Sequence, residues 1–252
     1  MLMPKTGDKK VARPSAELDY SFANDGYVVA AYTGDESKLP RMRIKCQGNT
    51  QDFIMMGGKP KAYPLCWGNG MYTIGVYRQI YQYQYSAVIA LDVPVILSSE
   101  FSPYLYPNTY CMYNPLSACV RVSNGVCIGI DGDAGRVKAM ERWIIDNVEY
   151  DTALAAKVQA DRWWLPDPDE VVHTGKSICW GYSSLFAAMC RAKGIPCKIV
   201  VGRVNGGGKH AWNEAYVNGV WERHDVTLLD SRGYAEMEQI IKSGNYEAEY
   251  YG

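Results

Sequence analysis

The sequence predicts an α+β chain in two parts: a small all-β, sandwich-like domain, then a mixed domain of helices and strands. Three observations carry this. Between residues 26 and 97, short β-prone runs recur between Gly, Asn and Pro turn signals, at the spacing of a sandwich. Past residue 131 the apolar rhythm becomes helical: Val137, Met140, Trp143, Ile144 and Val148 fall at i, i+3, i+6, i+7 and i+11. Helix and strand signals then alternate to about Leu229, and 252 residues suffice for one or two domains with a sizeable core.

The elements follow in order. Residues 1–17 carry lysines, prolines and little apolar content, and read as a disordered leader. Residues 18–100 are the β domain, with strands expected over 26–33, 42–46, 51–56, 62–66, 71–77 and one or two within 85–97. Residues 101–130, with Pro103, Pro107 and Pro115 among tyrosines, read as an extended linker and packing segment. Residues 131–252 are the second domain. Its first helix ends near Val148, and a last short one is expected over 236–243, stopped by Gly244.

Composition excludes several function classes. Lys plus Arg number 26 against 27 Asp plus Glu, a net charge of −1, which argues against a nucleic-acid or anionic-membrane binder driven by bulk charge. No apolar run reaches the roughly 18 residues of a membrane span. With eight cysteines, no CxxC pair and three histidines, a metal site is poorly supported, and free thiols are the expected state. No loop carries the spaced Asp or Asn ligands of a calcium site, and the acidic run 167–170 reads as a solvated turn. The first eight residues lack the apolar core of an export signal. The expectation is therefore cytoplasmic if Met1 is the native start, and extracellular or cell-surface if a signal was trimmed.

The chemistry concentrates in two segments. In residues 175–196, Tyr182, Leu185, Phe186 and Met189 form an apolar helical face, Gly194 and Pro196 stop it, and Ser177 is a candidate cap. Cys179 then sits in the first turn, where unpaired amides and the positive dipole end favour a thiolate. Taken alone, the same cysteine reads as well as a buried core residue.

The second segment separates these readings. Residues 209–217 alternate as a strand, Asn218-Gly219 is a strong hairpin turn, and residues 220–227 return. A two-residue turn pairs Val217 with Val220, Tyr216 with Trp221, Glu214 with Arg223, Trp212 with Asp225 and His210 with Thr227. His210 and Asp225 then share a face as diagonal neighbours, within reach of a hydrogen bond. His224 falls on the opposite face beside Asn213, so His210 is the histidine with an acidic orienter. Glu214 and Arg223 are expected to form a cross-strand ion pair. A cysteine at a helix start and a His–Asp pair are the parts of a nucleophilic acyl-transfer site, with Cys179 as nucleophile, His210 as base and Asp225 as orienter. The order Cys, His, Asp is also that of papain-like sites.

The motifs Cys179-Trp180-Gly181-Tyr182-Ser183 and His210-Ala211-Trp212, with residues 144–151, 165–171, 191–202 and 221–227, resemble the transglutaminase-like superfamily, in its bacterial members with a papain-like core. The resemblance implies a papain-like transglutaminase core over the second domain and the triad Cys179, His210 and Asp225. It also implies that the β domain is accessory. Two positions depart from the family pattern: Ser177 stands where the family often has Gly, and Asp225-Val226-Thr227 where it usually has Asp-Pro-Thr. Neither removes a catalytic group.

An oxyanion donor is expected at the Cys179 amide, with Gln159, Trp163 or Trp164 as side-chain candidates and Trp163, Trp164, Trp180 and Trp212 as cleft residues. His173 reads as surface, and Gly206-Gly207-Gly208 as a mobile loop over the cleft. The expected function is thiol-dependent hydrolysis or acyl transfer at amide bonds of a protein or peptide substrate, needing no cofactor or metal. Hydrolysis is favoured because nothing marks an amine-acceptor tunnel. A protein-glutamine transglutaminase and a non-enzymatic binding module are the alternatives.

Overall fold

The computed structural model describes residues 1–160, 164–232 and 241–252. The chain divides into two compact units, residues 3–109 and residues 110–252 with Met1 and Leu2.

The first unit is all β. Its strands are β1 (Lys10–Arg13), β2 (Ala16–Asp19), β3 (Tyr27–Tyr32), β4 (Arg41–Cys46), β5 (Asn49–Ile54), β6 (Lys61–Pro64), β7 (Gly70–Tyr81) and β8 (Gln84–Val95). They form two four-stranded antiparallel sheets, ordered β1-β2-β3-β6 and β5-β4-β7-β8. Alternation puts Met42, Ile44, Tyr72, Ile74 and Val76 of one sheet and Leu18, Val28 and Tyr63 of the other out of solvent. Phe53 meets Tyr63 edge-on at 5.5 Å, joining the two inner faces.

The amino-terminal segment differs from the expected disordered leader. Residues 10–13 form an edge strand and residue 16 begins the next. Asp19 explains this: its buried carboxylate accepts from Gly7 N at 2.7 Å and Ser21 N at 2.9 Å, tying the segment down. Composition alone does not reveal that anchor.

The second unit contains α1 (Ala118–Val126), α2 (Asp133–Asn147), β9 (Glu149–Tyr150), α3 (Thr152–Ala160), α4 (Pro168–Thr174), β10 (Lys176–Ser177), α5 (Cys179–Ala192), β11 (Cys197–Val204), β12 (Lys209–Val217), β13 (Val220–His224), α6 (Val226–Arg232) and β14 (Tyr246–Tyr251). Together the two units make a mixed α+β fold. β13, β12, β11 and β14 form an antiparallel sheet in that order, and α5 packs on it. α5 is buried without interruption from Gly181 to Ala192, the axis around which α1, α2, α4 and α6 gather.

Helix α1 falls inside the segment read as a linker. Its buried stripe of Ala118, Cys119, Val120 and Ser123 packs on α5, and Ser123 Oγ donates to Met189 O at 2.9 Å. The acidic run 167–170 is a helix start, not a solvated turn. Asp167 caps α4 by accepting from Asp169 N and Glu170 N, and Asp169 accepts from Cys119 N at 2.9 Å. Burial alone would raise the Asp169 pKa, but hydrogen bonds from Cys119, Ser117 and Ala118 hold it below the usual range. The helix expected over 236–243 lies mostly outside the described residues.

The start of α5 also differs in detail. Ile178 is its N-cap residue, with no side-chain cap, while Ser177 ends β10, which pairs in parallel with β9. The Ser177 hydroxyl turns inward, with the residue only 1% exposed, over the backbone of Gly181; a Cβ at Gly181 would collide with Ser177 Oγ. Gly181→Ala is therefore expected to destabilise the chain by about 1–3 kcal/mol despite the better helix propensity of alanine. Ser177→Gly with Gly181→Ala is expected to recover most of that loss in urea unfolding. Equal stability of the single and double variants would count against the steric account.

Candidate active site

The hairpin that carries the site forms in the expected register. Val217 pairs with Val220, Tyr216 with Trp221, Glu214 with Arg223 and Asn213 with His224. Asn218 and Gly219 take φ of 51° and 86°, the two positive values a two-residue turn of this hand requires. The expected return strand to Thr227 stops earlier: β13 ends at His224 and α6 begins at Val226. Asp225 makes the change. Its Oδ1 accepts from Leu228 N at 3.1 Å and its carbonyl from Leu229 N at 3.0 Å, so it starts the helix. Val226 is then the first helical residue, where a proline is also well accommodated. This accounts for the departure from Asp-Pro-Thr without displacing the carboxylate.

Asp225 nevertheless reaches His210. His210 Nε2 and Asp225 Oδ2 are 2.7 Å apart, with the aspartate side chain 0% and the histidine 18% exposed. The His210 side chain also hydrogen-bonds Cys179, which begins α5. With Nε2 engaged by Asp225, Nδ1 is the ring nitrogen left for the thiol. The structure thus brings Cys179, His210 and Asp225 together. Burial pulls the His210 pKa down, but the hydrogen bonds and charges of Asp225 and Cys179 outweigh it and raise it to about 10.

The second His–acid pair lies on the opposite face of β13. His224 Nδ1 is 2.7 Å from Glu141 Oε1 of α2, and its ring lies 5.3 Å from that of Phe186. Both residues of the pair are buried. The expected ion pair between Glu214 and Arg223 does not form, although the two are opposite in register. Glu214 binds Lys198 at 2.8 Å, its cross-strand neighbour on β11, and Arg223 donates to Ile241 O and covers the Tyr246 ring at 4.1 Å.

The aromatic candidates divide. Trp180 meets Tyr110 at 5.3 Å and Trp164 at 6.0 Å between ring centroids, forming an aromatic group next in sequence to Cys179. Trp212 is a core residue, 1% exposed, beneath His210 rather than on a cleft wall. Gln159 is exposed on α3, and Trp163 lies outside the described residues. His173 is exposed, and residues 206–208 lie in the exposed turn between β11 and β12. Helical bonding in α5 begins at Gly181 N and Tyr182 N, which both donate to Ile178 O.

Three tyrosines belong to this neighbourhood and were not singled out by the sequence. Tyr250 of β14 has its pKa pushed up to about 12 by burial, then by the charges of Glu249 and Cys179. Tyr150 is raised by burial and then Cys179. Tyr246 donates to Asp225 Oδ2 at 2.9 Å. Among twenty tyrosines nothing local distinguishes these three. Among the described residues no three His, Cys, Asp or Glu side chains gather as a metal site. No described helix is long and apolar enough to cross a membrane.

Residues 120–226 match the family model of the transglutaminase-like superfamily core. Kyphoscoliosis peptidase of Homo sapiens is 37% identical over 106 residues, 38% of this chain and 16% of that protein. Its Mus musculus counterpart is 34% identical over the same length and shares. The match therefore spans about a sixth of the length of these curated relatives. Among solved structures, a candidate cysteine protease from Cytophaga hutchinsonii aligns over 98% of this chain and 82% of its own, at 16% identity and a TM-score of 0.45. A TGase aligns over 44% of this chain and 31% of its own, at 23% identity and a TM-score of 0.34. The matched stretch, residues 120–226, runs from within α1 past the end of β13, contains Cys179, His210 and Asp225, and is similar to the core of the transglutaminase-like superfamily.

Proposed function

We propose that the unit of residues 110–252 catalyses thiol-dependent acyl transfer at amide bonds of a protein or peptide, with water as the acceptor. The observation that carries this is the single imidazole of His210, bonded to the buried Asp225 on one side and to Cys179 at the start of α5 on the other. The match to the family model supports an enzyme of this superfamily, and the names of the relatives include a peptidase.

In this reading Cys179 Sγ attacks the amide carbonyl carbon as a thiolate, with its proton held on His210. The oxyanion develops against the first-turn amide of Cys179, where the helix dipole adds positive potential. His210 passes its proton to the leaving nitrogen, the C–N bond breaks and a thioester remains. A water then gives its proton to His210 and attacks the thioester. The C–S bond breaks, releasing the acid and returning the proton to the Cys179–His210 pair. Asp225 keeps the imidazole in one tautomer and orientation through both halves. A lysine amine in place of that water would make an isopeptide bond by the same steps, and no observation favours it. Positioned proton transfer of this kind contributes about 10²–10⁴-fold in rate.

Two outcomes are expected. Iodoacetamide should label Cys179 selectively at about pH 6, at least about tenfold faster than in His210→Ala, as located by mass spectrometry. Labelling no faster than that of other accessible thiols, and indifferent to His210, would sink the reading. Incubation with dye-labelled unfolded casein and an amine probe separates the acceptors: released peptides support water, and incorporated amine replaces it with transfer.

The second outcome concerns pH. Folding raises the His210 pKa from 6.5 to about 10, so the protonated imidazolium is the form that folding favours. Its contribution to stability is full below about pH 6.5 and fades as pH rises through about 10. The melting-temperature gap between wild type and His210→Ala should therefore narrow from pH 6.5 to 10. A gap constant over that window would contradict the pairing.

A further inference from the structure

We infer that Tyr246 is a positioning residue of this site, holding the Asp225 carboxylate in the orientation in which it meets His210. The inference rests on the acyl-transfer reading above and adds a residue to it from outside the family core, which ends at residue 226.

Asp225 is fully removed from solvent, and its carboxylate accepts from Leu228 N on Oδ1 and from both His210 Nε2 and Tyr246 OH on Oδ2. The helix amide fixes one oxygen. Tyr246 gives the other oxygen a second, immobile donor, so rotation of the carboxylate would break three bonds and not two. Without the phenol, Oδ2 is directed by the very imidazole it is meant to direct.

Tyr246 is itself held from four sides. Its ring stands edge-on to Trp212 at 4.9 Å and under the Arg223 guanidinium at 4.1 Å. Its backbone pairs with Val204 in the β11–β14 ladder. The preceding residue is clamped to the β11–β12 turn, Asn245 N donating to Asn205 Oδ1 at 3.0 Å and Asn205 N to Asn245 O at 2.8 Å. Burial, then the Asp225 charge and hydrogen bond, keep the phenol protonated, against a smaller opposing pull from Arg223, so it acts as a donor throughout the working pH range. No part of this arrangement is needed to bury the ring, which a phenylalanine would fill equally well.

The test is made on the full chain with Tyr246→Phe and with 3-fluorotyrosine placed at position 246, a more acidic phenol of nearly the same shape. The readouts are Cys179 alkylation at pH 6 and the low-field proton resonance of His210 Nε2. Tyr246→Phe should slow alkylation about tenfold, the order of one lost hydrogen bond to a charged group, without unfolding the chain. The two variants should move the resonance in opposite directions. Losing the phenol leaves the full carboxylate charge on the imidazole and moves it downfield. A stronger phenol donor withdraws charge and moves it upfield.

Wild-type alkylation and an unmoved resonance in both variants would overturn the inference. If Tyr246→Phe melts early, the fluorinated chain still decides through the resonance. A wild-type Cys179 indifferent to His210→Ala would defeat the acyl-transfer reading. Normal His210 dependence with no effect at Tyr246 would defeat this inference alone.

Discussion

A carboxylate with no access to water must be fully bonded or must give up its charge, and Asp225 satisfies that requirement with contacts from three separate elements. The first turn of α6 supplies an amide, β12 an imidazole and β14 a phenol. Each of these elements is placed partly by the need to reach the same two oxygens. The hairpin register brings β12 beside β13, the capping bond at Asp225 ends β13 at His224, and the ladder with β11 carries β14 back across the sheet. The organisation of the site and that of the sheet edge are one solution to the cost of burying a single negative charge.

The same hairpin separates two histidines by environment. His224 and Asp225 are adjacent in sequence, yet His224 turns toward α5 and α2, against Phe186 and Glu141, while Asp225 turns toward His210. The His224–Glu141 pair is closed off from solvent and ties the sheet to α2. The His210–Asp225 pair keeps one ring nitrogen toward a partly exposed thiol. Both pairs have heavy atoms 2.7 Å apart. What distinguishes them chemically is the access of the remaining nitrogen to a reacting group, not the strength of the acidic contact.

These features were unequally legible in the sequence. A two-residue turn leaves no freedom of register, so Asn218-Gly219 alone determines which histidine can meet Asp225. Cys179 at a helix start followed from the apolar spacing of α5 and its Gly-Pro stop. The switch from strand to helix at Asp225 was hidden because the residues before and after it fit a continuing strand, and only the capping bond to Leu228 decides. The order of the amino-terminal segment is not legible because one buried aspartate, Asp19, outweighs its polar composition. The residue type of Ser177 suits a cap, whereas its tight approach to Gly181 is a property of packing that the sequence does not show. Tyr246 was invisible for a simpler reason: it approaches Asp225 through the sheet, from 21 residues further along the chain.

The order of strands in the second sheet has a consequence for how the molecule is made. β11, among the most deeply buried strands, lies between β12 and β14, and β14 spans residues 246–251. During translation, β12 and β13 leave the ribosome while one edge of β11 is still without its neighbour. Over that interval a row of backbone amides and carbonyls beside Ile199, Val200 and Val201 is open to pairing with another nascent chain. Residues 246–251 therefore act as a built-in seal that closes this edge last. A polypeptide cut short before them would carry every residue of the Cys–His–Asp set together with an adhesive strand edge.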